Sequence, residues 1–364
     1  MAYNEKSLRK KALSYLASEE HALFRVEVEQ ELADENWAAL YERFYTSLSF
    51  GTAGIRGIIG GGTNRINSFV VSKVTQGMAD YLNTVSKNPS VVIAYDSRNF
   101  SDLFAMEAAL VLAANGISVY LYSELRPVPM LSFAVRYLQT TAGITITASH
   151  NPAAYNGYKV YWNHGGQVTP PHDFAIAQRA NAIVAEDIKR ISEEQARAKG
   201  LLVPVPEQVD AAYYERALRT LRRPALLTST PISVVYTPLH GSGNIPIQHL
   251  GETLGLAVHV VKEQESPDGD FPTVPMPNPE DPEAMALALA KAKEVGADIV
   301  LGTDPDADRL GIAIPTSSTK EEYLLLTGNQ IAALLTDYLI DADRALGVRR
   351  RPVVIKSFVT TDLV

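Results

Sequence analysis

From residue 65 onward, strand-length apolar runs alternate with helix-length segments. That alternation restricts the chain to α/β units with a largely parallel sheet covered by helices. The spacing predicts a helix over 69–85, a strand over 90–95, a helix over 102–115 stopped by Gly116, a strand over 119–122, a helix over 130–138 and a strand over 143–147. A long polar helix over 173–199 then leads to Leu201-Leu202-Val203-Pro204-Val205-Pro206, which reads as a domain boundary. A second α/β unit follows, with strands over 232–236, 258–261 and 298–301 and a helix over 282–295. Its stretch 266–282 is dense in Pro, Asp and Gly and reads as an irregular loop. Beyond about Ser318 a third unit is expected, with a helix over 328–339 and a strand over 353–356. Ahead of all this the chain reads as helical. Leu8, Leu13 and Leu16 recur at helical intervals, and a second helical segment covers 36–45. The expected domains are therefore 1–204, 205–318 and a short third unit, 319–364.

Composition excludes several functions. There is no cysteine, so disulfides, thiolate zinc sites and cysteine nucleophiles are ruled out, and a reducing, cytoplasmic setting is expected. No apolar run approaches the ~20 residues needed to span a bilayer, and the charged amino terminus resembles neither a signal peptide nor an anchor. A formal net charge of −8 argues against nucleic acid as a partner. A small phosphorylated ligand remains compatible wherever a few Arg and Lys converge.

Three loops carry chemistry. In the first, Gly51-Thr52-Ala53-Gly54-Ile55-Arg56-Gly57, glycine-rich backbone could form an anion-binding nest, with Arg56 adding a bidentate phosphate contact. No Gly-Lys-Ser/Thr follows, so it is not a Walker loop. In the second, Thr147-Ala148-Ser149-His150-Asn151-Pro152, Ser149 falls at the carboxyl end of a strand, where ligands of open α/β sheets gather. A serine hydroxyl there needs a base, a metal or both to act as a nucleophile. The wording is not the G-x-S-x-G of a hydrolase elbow. In the third, Asp304, Asp306 and Asp308 alternate directly after an apolar strand. Carboxylates that close repel unless a hard cation such as Mg²⁺ or Ca²⁺ neutralises them. A calcium EF-hand is excluded, since its sixth position would be Arg309 rather than Gly and its twelfth Pro315 rather than Glu.

Taken together and in this order, Gly-Thr-Ala-Gly-Ile-Arg-Gly, Thr-Ala-Ser-His-Asn-Pro-x-x-Tyr-Asn-Gly-x-Lys and Gly-Thr-Asp-Pro-Asp-Ala-Asp-Arg resemble the α-D-phosphohexomutase superfamily. The helical extension and the Leu-Ser-Phe-Gly-Thr-Ala-Gly wording are similar to its phosphoglucomutase/phosphopentomutase branch. The resemblance implies an isomerase that exchanges a hexose 1-phosphate, glucose above all, for the 6-phosphate. The reaction would pass through a phosphoserine and a sugar 1,6-bisphosphate. Phosphopentomutase or phosphomannomutase activity of the same family is the alternative.

The resemblance also assigns residues. Ser149 would be the phosphoserine. Asp304, Asp306 and Asp308, with a phosphoserine oxygen, would hold Mg²⁺. Arg309 would lie against the phosphate, and His150 and Lys159 would line the cleft, Lys159 as proton donor or acceptor. Thr52, Arg56 and Lys356 would contact substrate. Tyr236-Thr237-Pro238-Leu239-His240-Gly241 is expected to be a structural turn. The resemblance implies successive α/β domains with mixed, mainly parallel sheets around a cleft. Family members have four such domains, so the expectation is a truncated chain lacking the third-domain sugar loop and the fourth domain. The rivals are then a metal-dependent phosphatase or a non-catalytic phosphosugar-binding fragment.

Overall fold

A computed structural model describes residues 4–51, 54–348 and 353–364. It divides into two compact units, Met1–Val209 and Asp210–Val364.

The first unit is built on a six-stranded sheet. Its strands are β1 (Ile55–Ile58), β2 (Ser90–Tyr95), β3 (Ser118–Leu121), β4 (Ala142–Ile146), β5 (Tyr155–Trp162) and β6 (Leu202–Pro204), in the order β1-β5-β4-β2-β3-β6. β2 shows why the sheet is covered on both faces. Val91 and Ile93 point into one core with the helices Ser68–Val85 and Ser101–Ala114. Val92 and Ala94 point into another against the helix Val128–Tyr137. A strand buried on both sides has no polar face to spare, so it reads as a continuous apolar run. β2, β3, β4 and β6 are parallel, whereas β5 runs antiparallel to both β4 and β1. The sheet is thus mixed, as expected.

The second unit has a five-stranded sheet. Its strands are β7 (Ser233–Thr237), β8 (Ala257–Val260), β9 (Ile299–Thr303), β10 (Leu310–Pro315) and β11 (Tyr323–Leu326), in the order β11-β10-β9-β7-β8. β7 is parallel to β8 and β9, and β10 is antiparallel to β9 and β11. In each unit the first parallel strand has its successor on one side and a later strand on the other. This creates a topological switch point between β2 and β4, and between β7 and β9, where ligands of open α/β sheets bind.

Several expected elements differ. The helix expected over 173–199 is broken into His172–Ala182, a 3₁₀ turn at Ala185–Asp187 and Glu193–Ala198. Ile183 and Ile188 turn inward between the pieces, and Ser192 restarts the helix with a capping box to Gln195. Residues 353–356 form no strand, and their side chains are exposed. Tyr323–Leu326, expected to open a third unit, hydrogen-bonds to β10 instead. Within the amino-terminal stretch that reads as helical, Ala22–Ala33 forms a separate helix whose bounds the sequence does not mark, and Leu13 is exposed while Ala12 and Tyr15 are buried.

The amino-terminal helices form a small core of their own around Leu8, Val28, Leu40 and Phe44. They dock on the Gly60-Gly61-Gly62 turn. A Cβ on Gly61 would lie 2.2 Å from the Phe24 carbonyl oxygen, so only glycine permits this approach. The Gly61 amide donates to Glu27, and Arg43 reaches the Gly61 carbonyl while pairing with Glu27 and Glu31. Among the described residues, no helix is long and apolar enough to cross a membrane.

Candidate active site

Ser149 lies just beyond β4, beside the first switch point, and is buried. Its backbone φ is 54°, a left-handed conformation that L residues adopt at a cost of order 1–2 kcal/mol. The loop is held in that shape from two directions. The Ser149 amide donates to Thr147 Oγ1 at 2.8 Å, and the threonine hydroxyl donates to Asp96 Oδ2 at 2.6 Å. Asp96 follows β2, the neighbouring strand. The Arg98 guanidinium donates to the carbonyls of Ser149, Asn151, Pro152 and Tyr155. Arg98 and Asp96 are both buried, with Nε 3.4 Å from Oδ2. Burying such a pair is tolerable only with the further hydrogen bonds it makes here. His150 Nδ1 lies 3.2 Å from Ser149 Oγ, within reach of the hydroxyl proton.

The Tyr-Asn-Gly-x-Lys segment that continues the serine loop, to which the sequence reading assigns no element, is the strand β5. It returns alongside β4 and pairs Lys159 with Thr145. Lys159 is buried and lies on the opposite strand face from Tyr158 and Val160. Gly157 is required because a Cβ there would meet the Thr147 carbonyl oxygen at 2.5 Å.

β1 carries the glycine-loop arginine to the same place. Arg56 pairs with Gly157 across the strands, and its Nη1 donates to Asn151 Oδ1 at 3.0 Å. Two of the sequence motifs therefore meet in the first unit. The nest expected at Gly51–Gly57 is corrected in one respect. The Gly51 and Gly54 amides donate to each other's carbonyls at 2.9 and 3.0 Å, so these two donors are already engaged. Thr52 lies outside the described residues.

In the second unit, Asp304, Asp306 and Asp308 leave the end of β9, with candidate ligand oxygens within 4.8 Å of one another. Asp304 and Asp306 are buried and Asp308 is exposed. The loop turns through Ala307 at φ 48°, and the Ala307 amide closes it onto the Asp304 carbonyl at 2.9 Å. Three convergent carboxylates offer the hard oxygen donors that Mg²⁺ requires, so the residues present fit that ion. The Arg309 amide donates to Asp304 Oδ1 at 3.1 Å, and its guanidinium Nε stands 4.0 Å from Oδ2 while remaining partly exposed.

The Tyr236–Gly241 turn props this loop, as a structural element would. The Tyr236 hydroxyl meets Thr303 Oγ1 at 2.8 Å, and burial pushes its pKa up. Just past the turn, the Ser242 amide and hydroxyl both donate to the Pro305 carbonyl. His240 is committed to Ser266 O and Thr273 Oγ1. Lys356 lies in the same unit on the strandless 353–357 segment, its ammonium on Asp362 Oδ1 at 2.8 Å and the Thr360 carbonyl.

Asp96, Arg98 and Ser242 escape a motif-based reading. The one available signal was Asp96-Ser97-Arg98 immediately after a strand, in a position equivalent to the serine loop.

The two units are thus α/β folds with a serine loop at one switch point and a carboxylate triad at the other. Family models for phosphoglucomutase/phosphomannomutase match residues 47–187 as α/β/α domain I and 211–317 as α/β/α domain II, and the chain belongs to that family within the α-D-phosphohexomutase superfamily. It is 38% identical over 309 residues to a phosphoglucomutase of Staphylococcus epidermidis, covering 84% of this chain and 55% of that protein. It is 38% identical over 323 residues to a phosphoglucomutase of Staphylococcus aureus strain USA300, covering 88% and 57%. The chain thus spans little more than half the length of these relatives. Its fold is similar to a phosphoglucomutase/phosphomannomutase family protein of Burkholderia thailandensis (TM-score 0.64, 22% identity, 81% of this chain and 59% of that one). It is also similar to the Paramecium phosphoprotein parafusin in its open form (TM-score 0.59, 17% identity, 80% and 57%).

Proposed function

We propose that the protein takes part in phosphoglucomutase-type phosphoryl transfer, with Ser149 as the carrier. The phosphoryl group leaves Ser149 Oγ as a new P–O bond forms to the free hydroxyl of a hexose monophosphate, giving a 1,6-bisphosphate. Transfer of the other phosphoryl group back to Ser149 completes the exchange of 1-phosphate for 6-phosphate. The observation that carries this reading is the buried Ser149, held in a left-handed turn at the switch point with His150 at hydrogen-bond distance.

Phosphoryl transfer has a loose transition state, so positioning and charge neutralisation supply most of the catalysis. The Ser149 oxygen must gain a proton once the phosphoryl group has gone, and His150 Nδ1 is in reach of it. Lys159, buried on β5, is assigned the proton of the sugar hydroxyl. Arg56 and Arg309, both partly or fully exposed, are assigned phosphate contacts, as Thr52 and Lys356 are assigned substrate contacts. Mg²⁺, if held by Asp304, Asp306 and Asp308, would supply charge neutralisation to a phosphoryl group. Glucose is the sugar favoured by the 38% identity to two phosphoglucomutases.

The test follows phosphate from glucose 1,6-bisphosphate in the presence of Mg²⁺, with glucose, mannose or pentose phosphates as acceptors. Transfer to a sugar, fastest with glucose 6-phosphate or 1-phosphate, supports the proposal. Release of inorganic phosphate as the main product overturns it in favour of a phosphatase.

A further inference from the structure

We infer that Asp96, Arg98 and Thr147 are positioning residues that set the geometry of Ser149 for phosphoryl transfer, an inference that rests on the reading of Ser149 as the carrier. Two features of the loop support the assignment.

The first is the span of Arg98. Its Nη1 donates to the carbonyls of Pro152 and Tyr155 and its Nη2 to those of Ser149 and Asn151. One planar guanidinium thus ties the serine to the first residue of β5, and the whole returning loop is wrapped on it. A lysine ammonium, with three donors on a single atom, could not satisfy four carbonyls divided between two nitrogens.

The second is the relay through Thr147. Its hydroxyl donates to Asp96 Oδ2, which aims an oxygen lone pair at the Ser149 amide. Asp96 is itself fixed, since its Oδ1 accepts from the Arg98 amide at 3.0 Å and from Ser101 Oγ at 2.8 Å. The charged pair therefore controls both ends of the Ser149 residue: Arg98 takes its carbonyl, and Asp96 acts through Thr147 on its amide. A backbone φ of 54° at a serine persists only when its surroundings over-determine it, and these contacts supply that constraint.

None of these side chains needs to touch the sugar for this role. Losing the relay should leave sugar affinity intact and slow transfer, because in-line placement of the serine oxygen is what the loose transition state demands.

Thr147→Val removes the hydroxyl while keeping the side-chain shape, and Thr147→Ser keeps the hydroxyl. Two quantities are measured on the full chain with Mg²⁺: the rate of Ser149 phosphorylation by glucose 1,6-bisphosphate, and hydrogen exchange of the Ser149 amide by NMR. In T147V, transfer should slow on the order of 100-fold with the half-saturating bisphosphate concentration unchanged. The Ser149 amide should also exchange faster, and T147S should restore both. Wild-type transfer and amide protection in T147V would overturn the inference, as would a T147S no better than T147V. If the wild-type chain accepts no phosphate at all, it is the phosphoserine reading that fails. The amide then decides positioning alone: protection kept in T147S and lost in T147V supports it, and equal exchange in both overturns it.

Discussion

Asp304 and Asp306 are buried with carboxylate oxygens within 4.8 Å of each other, and like charges that close repel where water screens them poorly. A divalent ion removes that repulsion, so each member of the triad should matter to metal binding. Changing Asp304, Asp306 or Asp308 to Asn should weaken Mg²⁺ binding by more than about tenfold, since even outer-sphere partners of metal ligands are worth 10–100-fold. Calorimetry on the three variants checks this, and unchanged affinity in all of them would reduce the loop to acidic surface. At this scale the sequence was informative where chemistry is written locally. Ser149, His150 and the aspartates stand in consecutive or alternating positions, and Ser149–His150 and the Asp304–Asp308 cluster each come together in the fold. Arg98 was not legible, because its role depends on carbonyls more than fifty residues away that only the packing of β2 beside β4 brings to it.

Among the elements, the amino-terminal helices offer the sharpest tests. Glu19 is buried and accepts hydrogen bonds from the Tyr15 hydroxyl and the amides of His21 and Phe69, which ties these helices to the helix Ser68–Val85. Burial outweighs those bonds and raises its carboxyl pKa above the ordinary 4.5. A folded-state pKa above the unfolded one means that the native state binds the proton more tightly. The protonated form therefore favours folding: this contribution is fully present below about pH 4.5 and lost as pH rises through the folded-state value. Wild type should gain thermal stability relative to Glu19→Gln as pH falls from 7 toward 5, and parallel melting curves would contradict this. At the other side of the same dock, Gly61→Ala should cost about 1–3 kcal/mol, because its Cβ would collide with the Phe24 backbone. Denaturant unfolding measures that loss.

These elements also show why some of the fold was hidden. β2 was readable because burial on both faces leaves it uniformly apolar. The bounds of the helix Ala22–Ala33 were not, since Leu23 and Val26 face outward while Phe24 and Val28 face the core, which blurs any apolar stripe. β5 was not assigned as a strand, and its pairing with β1 and β4 is what makes it one.

At the level of the whole molecule, each unit has its own core and its own switch point. The serine loop belongs to Met1–Val209 and the carboxylate triad to Asp210–Val364. Residues 1–209 expressed alone should unfold cooperatively and keep the Ser149 loop, whereas Mg²⁺ binding should remain with 210–364. A fragment 1–209 with no cooperative transition would contradict this division. Sequence alternation revealed the paired α/β architecture, but it could not reveal that β11 completes the second sheet, because strand pairing at an edge leaves no local signature.

The central claim is that Ser149 carries the phosphoryl group, and intact-mass measurement tests it most directly. The chain is incubated with glucose 1,6-bisphosphate and Mg²⁺ beside the Ser149→Ala variant. One added phosphate on the wild-type chain, mapped to Ser149 and absent from the variant, is the predicted result. Equal phosphorylation of the variant would contradict it.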